Sequence, residues 1–431
     1  MTERDLPPGN LIVVHAAQLV TCSGFAAKCG RAMSDLHIIP DGAVAIEDGR
    51  IRQVGPSEEV LRHCGTDGYR IIDAAGRAVL PGFVDSHTHL VFGGTREEEF
   101  AWRLAGQSYL EIMRRGGGIR RTVQATRRAS LEALVAEGMR RLDRMLAFGV
   151  TTVEGKSGYG LDHDTELRQL RAMQQLNRMH AVEVVPTFLG AHAVPPEYEG
   201  RAEDYIDFVV ETVLPEVARE KLAAFCDVFC EAEVFSVAQS RRLLETARAR
   251  GLGLKIHADE IAPLGGAELA ADLHAVSADH LLQASNTGID RLIEAGVVAT
   301  LLPATAFSLK EPYARGREMI DRGAAVALAT DFNPGSCFSE SIPLVAALAC
   351  LHVGLTPAET VTALTINGAA ALGRADRVGS IDPGKQGDLV ILDAPSYLFI
   401  PYRLGINLVG TVVKAGRVVY ASPDRPLING A

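Results

Sequence analysis

The chain has 431 residues, 47 % hydrophobic and 22 % charged, enough for about two or three domains around large aliphatic cores, which excludes disorder, collagen and coiled coil. Lys and Arg number 43 against 53 Asp and Glu, and the resulting charge of −10 repels phosphate backbones and anionic lipid, so neither nucleic acid nor a membrane surface is an expected partner. The seven cysteines are odd in number and form no CxxC, which points to a reducing compartment.

The first residues, MTERDLPPGN, carry acids and prolines where a secretory signal needs a basic and then an apolar run. The most apolar stretch, 342–355, is too short for a bilayer and is interrupted by His352, so a cytoplasmic protein is expected. Short strands are expected at 11–15, 43–47 and 51–54, separated by turn signals such as EDGR. From 78 to about 330, eight apolar, β-branched runs alternate with helix-like stretches: 78–84, 150–154, 182–189, 226–230, 252–257, 278–281, 297–302 and 325–329. Between the first two lies LEALVAEGMRRLDRMLAFG (131–149), whose apolar residues three and four apart make one buried face and whose Gly149 closes a helix. Strand–helix alternation implies a parallel sheet, and eight units close into an α/β fold of the (β/α)8 TIM-barrel type. After 373 the pattern returns to short strands, 388–392 and 411–413, with the turn KAGR. The expected organisation is therefore a barrel domain over 78–372 beside one small β-sandwich domain built from 1–77 plus 373–431.

Chemistry-bearing residues gather at the predicted strand ends, where barrel enzymes carry their sites. The first strand finishes in PGFVDSHTH, and a spacing of two puts His87 and His89 on one face. The fifth ends at His257 with Glu260 three residues on, the sixth at His280 and the eighth at Asp331. A lone HxH pair is more often structural than metal-binding, and an inert barrel rim is the alternative for the whole set. Four strands converging on one mouth favour a metal. Three imidazoles from His87, His89 and His257 with the Asp331 carboxylate would hold one divalent cation, Zn²⁺ or Fe²⁺, leaving a position for water whose pKa falls toward about 7. Glu260 and His280 are the unspent groups for moving protons, with orientation of a ligand as the other role open to Glu260.

These residues resemble the amidohydrolase superfamily, and the flanking GSIDPGKQGDLVILD (379–393) and VVKAGRVV resemble its β-domain. The segments HLVFGGTREEEF (89–100), EGKSGYGLD (154–162), TFLGAHAVPPEY (187–198), DVFCEAEVFS (227–236), LKIHADE (254–260), LLPATAFSL (301–309) and ATDFNPGS (329–336) extend the resemblance over nearly the whole barrel, toward members that open a cyclic amide. It implies hydrolysis of a small, carboxylate-bearing ring substrate with Glu260, His280, Asp331 and His192 as catalytic groups. It implies substrate contacts from Arg96, Tyr159, His192, Glu260, Asn333, Gly335 and Ser336, with His192 either polarising the carbonyl or bonding a ring nitrogen. Dinuclear members carry a bridging lysine at the end of strand four; AFCDVFCEAE offers none, so one metal per subunit is expected. Lys156, after strand two, reads as a salt-bridging cation, and Arg96 has the simpler alternative of pairing with Glu97 to Glu99. A homodimer is expected from the resemblance alone. The rival readings are an aminohydrolase of a cytosine- or guanine-like base, and a non-catalytic scaffold.

Overall fold

The computed structural model describes residues 9–107, 111, 115–423 and 428–429; residues 1–8, which carry most of the acidic, proline-containing start, lie outside it. Eight parallel strands follow one another around a single sheet: β1 (Phe83–Asp85), β2 (Val150–Lys156), β3 (Glu183–Ala191), β4 (Phe225–Cys230), β5 (Gly253–Ala258), β6 (Ser277–His280), β7 (Val298–Leu301) and β8 (Val326–Leu328). The sheet closes just past its outer strands, where Thr88 bridges Phe332. There the Asp331 N–H donates to His87 O at 3.0 Å and the His89 N–H to Phe332 O at 2.9 Å. This is the barrel expected from the alternation, and its closure carries the segments after β1 and β8 to the same mouth.

The helices form for the local reasons visible in the sequence. Leu131–Ala147 starts where the Ser130 side chain accepts from the Ala133 N–H, and it buries Leu134, Leu142 and Met145. Gly149 follows it with φ 87°, a conformation that favours glycine, and turns the chain into β2.

The apolar run 78–84 is not one strand. Ala78–Pro81 lies in an outer sheet between Leu389–Leu392 and Gln18–Val20, and the barrel strand begins at Phe83. The joint is Gly82, whose N–H donates to Asp388 O at 3.0 Å; a Cβ there would stand 2.3 Å from Thr151 Oγ1. Both halves are buried and apolar, so the pattern does not record the change of partner.

Both flanks pair as expected. One sheet joins Ile428–Asn429, Arg70–Asp73, Leu11–Ala16, Gly42–Glu47 and Arg50–Pro56 in that order; the other joins Arg417–Ala421, Val409–Lys414, Leu389–Leu392, Ala78–Pro81, Gln18–Val20 and Ile38–Ile39. Leu11, Val13 and Ile46 of the first pack with Leu19, Val79 and Ile391 of the second in one buried cluster, which makes the pair a small sandwich. Among the described residues no helix is long and apolar enough to cross a membrane.

Candidate active site

His87 and His89 project from the extended segment after β1, His257 from β5, and Asp331 from the turn after β8. The ring centroids of His87 and His257 are 4.6 Å apart, those of His87 and His89 5.5 Å, and those of His89 and His257 5.6 Å. Asp331 Oδ1 lies 3.5 Å from His87 Nε2 and 3.6 Å from His89 Nε2. His87, His89 and Asp331 offer donor atoms within 4.8 Å of one another; His257 joins two overlapping groups, one with His87 and His280 and one with His89 and His192.

A divalent cation fits this donor set on several grounds. His87 Nε2, His89 Nδ1 and His257 Nε2 are buried with no hydrogen-bond partner, a state that costs free energy unless something accepts their lone pairs. Burial holds His87 and His89 well below the usual imidazole range, so they are neutral, as ligation requires. Burial also pushes Asp331 up to about 6 against the lowering hydrogen bond from Thr305, so this carboxylate lacks enough positive charge of its own. A cation at the mouth would supply it.

A buried ionic layer lies directly beneath. Asp279 Oδ2 is 2.7 Å from His87 Nδ1, and Asp227 Oδ2 is 2.9 Å from His257 Nδ1, close though not aligned as a linear hydrogen bond. Lys156 Nζ lies 2.7 Å from Asp227, 3.0 Å from Glu154 and 3.4 Å from Asp279; Lys255 Nζ lies 3.0 Å from Glu154. All five side chains are completely buried. Burial lowers Lys156, but Asp227, Glu154 and Asp279 outweigh it and hold the ammonium above its ordinary range. Three carboxylates and two ammoniums leave one negative charge, and Asp331 brings a second, which matches the charge of one divalent cation. Asp85, the remaining acid of β1, faces away to Thr330 and is pushed up to about 7 by burial.

Glu260 and His280 meet above this layer, with Glu260 Oε1 3.5 Å from His280 Nδ1. Burial first, then the neighbouring acids Asp331, Glu231 and Glu311, push Glu260 up to about 8. Glu231 holds the backbone behind it by accepting the N–H groups of Ile261 at 2.8 Å and Ala262 at 3.1 Å. Asp259, in turn, accepts from the N–H groups of Gly265, Gly266 and Ala267. His280, Leu281, Asp259 and Asp331 all have left-handed backbone, with φ of 75°, 60°, 50° and 51°. Such strain is typical of functional sites, and here it re-aims side chains. Strict alternation would send Asp279 and His280 to opposite faces; the kink turns His280 to the mouth while Asp279 keeps the barrel interior.

His192 stacks on His89 with centroids 5.0 Å apart, and its Nδ1 is 3.0 Å from Gly158 O. Facing a carbonyl, that nitrogen must carry the proton, which leaves a lone pair on Nε2. Burial pulls His192 down to about 3, so the ring is neutral and accepts at Nε2. Of its two expected roles, bonding a ring N–H is the one this tautomer suits.

The side wall gathers the expected substrate contacts. Tyr159 lies 5.6 Å from His89 and 5.3 Å from His192 between ring centroids. Arg96 Nε donates to Glu99 at 3.1 Å, so the pairing within 97–99 exists and fixes the side chain. Its guanidinium lies against Gly335, where a Cβ would come 2.2 Å from Nη2. Asn333 lies on the turn that carries Gly335 and Ser336. Its Oδ1 accepts from the Gly335 and Ser336 N–H groups and its Nδ2 donates to Asp331 O and Ser336 Oγ, so its amide is spent on shaping the turn.

The description "Amidohydrolase family" matches residues 78–419, from the strand before the barrel to the last hairpin. The chain belongs to the amidohydrolase family. A second model, "Imidazolonepropionase-like composite domain, bacteria", matches residues 42–63 of the sandwich. This amidohydrolase is 61 % identical over 408 residues to a protein of Parabacteroides distasonis named imidazolonepropionase, covering 95 % of this chain and 98 % of the relative. The protein of that name from Clostridium tetani is 57 % identical over 412 residues, covering 96 % and 98 %. Among solved structures, 5-methylcytosine deaminase from Klebsiella pneumoniae superposes with a TM-score of 0.70 at 19 % identity, covering 96 % of this chain and 98 % of that one, a likeness of fold.

Several groups around the candidate site carry no signal of their own in the sequence: Asp227, Asp279, Lys255, Thr305 and Glu166. Glu166 is the clearest. Buried on the helix His163–Met179, it accepts from the N–H groups of Gly158, Gly160 and Leu161 and so sets the loop that presents Tyr159. Glu166→Ala would leave three buried N–H groups unmet; we expect a loss of at least about 2 kcal/mol in unfolding free energy, read by urea denaturation.

Proposed function

We propose that this chain hydrolyses the ring amide of 4-imidazolone-5-propanoate to N-formimidoyl-L-glutamate, the reaction of imidazolonepropionases in histidine degradation. The observation that carries the proposal is the match to relatives of that name at 61 % and 57 % identity over nearly their full length. His87, His89, His257 and Asp331 would hold one divalent cation, zinc or iron(II). Such a cation supplies Lewis acidity and makes water beside it more acidic.

The remaining steps belong to the chain's own groups. Arg96 pairs with the propionate carboxylate through the Nη groups that Glu99 leaves available. Tyr159 packs on the ring, and the lone pair of His192 Nε2 accepts a ring N–H. As water adds to the ring carbonyl, Glu260 takes its proton, and with His280 it returns a proton to the nitrogen that leaves when the C–N bond breaks. Gly335 and Ser336 line the product side on the turn that Asn333 shapes. We place the reaction in the cytoplasm, with a homodimer as the working assembly and no nucleic-acid or membrane partner.

Freshly prepared imidazolone propionate is the test substrate, with formimidoyl-glutamate and ammonia measured together. Formimidoyl-glutamate without ammonia supports the proposal. Stoichiometric ammonia would transfer the chain to the aminohydrolases, and no turnover by metal-loaded protein would leave it a scaffold.

Gly335→Ala probes the carboxylate grip. Gly335 is outside the left-handed region, so alanine strains no backbone, but its methyl would displace the Arg96 guanidinium. The expected result is a KM raised about tenfold, the loss of one charge-assisted hydrogen bond, with the unfolding midpoint nearly unchanged.

A further inference from the structure

Lys156 ends β2 with no exposed atom, and hydrolysis as described above makes no use of it. Its surroundings give it a task. Asp227 and Asp279 stand behind two different candidate ligands, His257 and His87, and Lys156 touches both acids, at 2.7 Å and 3.4 Å. The acids are anchored on their far sides as well. Asp227 Oδ1 accepts from the N–H groups of Val228 at 2.7 Å and His257 at 3.2 Å, and Asp279 Oδ1 accepts from Ser277 Oγ at 2.7 Å. A carboxylate oxygen within 3 Å of an imidazole nitrogen repels a lone pair there and attracts a proton. Each histidine therefore keeps its proton on Nδ1 and turns a bare Nε2 to the mouth.

We propose that Lys156 is a positioning residue for the metal centre: one ammonium fixes Asp227 and Asp279 together, and through them sets the tautomer and aim of His257 and His87 before metal arrives. Lys255 is placed differently. It contacts Glu154 at 3.0 Å and the carbonyls of Ser86 and Ala371 at 3.1 Å and 3.3 Å, but it is 3.9 Å from Asp279. It balances charge without bridging the two acids. The shared ammonium couples two ligands from different strands, so it acts on metal affinity ahead of any substrate.

The proposal rests on the metal reading of the mouth and is independent of which substrate is used. Lys156→Met removes a buried charge and puts folding at risk, so it is paired with Glu154→Gln/Lys156→Met, which keeps the same net charge in the layer while removing the bridge. Zinc affinity is measured by competition with a chelator on protein shown to be folded. The expected result for the double variant is zinc binding weakened 10- to 100-fold, the range found when partners behind metal ligands are removed. Zinc binding within twofold of the parent overturns the proposal.

A measurement on the unaltered chain needs no variant to fold. In the metal-free protein, ¹⁵N spectra of labelled histidine, assigned with His87→Asn and His257→Asn, are expected to show both rings already as the Nδ1–H tautomer. An Nε2–H tautomer at either ring overturns the proposal as well. Failure of the unaltered chain to bind zinc or iron would instead remove the metal reading itself, which separates the two outcomes.

Discussion

Glu260→Gln retains bound metal and loses at least about 100-fold in kcat. Gln has the same length and keeps an oxygen toward His280, 3.5 Å away, and Glu231 still clamps the backbone behind it. What disappears is a group that titrates close enough to neutral pH to take a proton from water and then give it back. Burial and three neighbouring acids push Glu260 up to about 8, and a carboxyl so placed exchanges protons with water and a leaving nitrogen far more readily than an ordinary surface acid. The check is metal content by elemental analysis alongside steady-state kinetics. Turnover within a few-fold of the parent would remove Glu260 from proton transfer and leave it a ligand-orienting role.

Asp331→Asn weakens metal binding by at least about 100-fold and lowers kcat/KM in step at limiting metal. Asparagine isolates charge from conformation. Asp331 has φ 51°, a region that Asn tolerates better than most side chains, and the amide oxygen still accepts from Thr305 Oγ1, which stands 2.7 Å from Asp331 Oδ2. The substitution removes the one negative charge among the four candidate ligands. Calorimetric titration of metal into the metal-free variant reads the effect, and unchanged affinity would assign the cation to other donors.

Much of this arrangement is legible in the sequence because barrel strands announce themselves twice. A buried parallel strand needs a short β-branched run, and an active rim needs polar groups where that run stops, so VALATDFNPGS and LGLKIHADE each mark both a strand and a candidate ligand. Gly82 shows where the pattern fails. A change from one sheet to another costs the sequence only a glycine, and the apolar code on either side is the same. The layer beneath the site was hidden for a related reason. Asp279 sits beside His280, and alternation gives the two opposite faces; the left-handed backbone at His280 lets both serve one site, and nothing local in SADHL announces it. Lys156 reads from the sequence as a salt-bridging cation, which its three carboxylate contacts match, but its reach across β4 and β6 is a property of barrel closure. Asn333 shows a second kind of hidden neighbour. The sequence shows only an amide beside a candidate ligand, and the four hydrogen bonds it makes within the turn are visible only in the fold.

The proposed reaction needs a single cation held by His87, His89, His257 and Asp331. The most direct measurement is titration of the metal-free protein with zinc or iron(II) while formimidoyl-glutamate is followed from imidazolone propionate. The predicted result is activity rising linearly with metal and levelling at one equivalent per chain. Full activity without metal, or a plateau only at two equivalents, would contradict it.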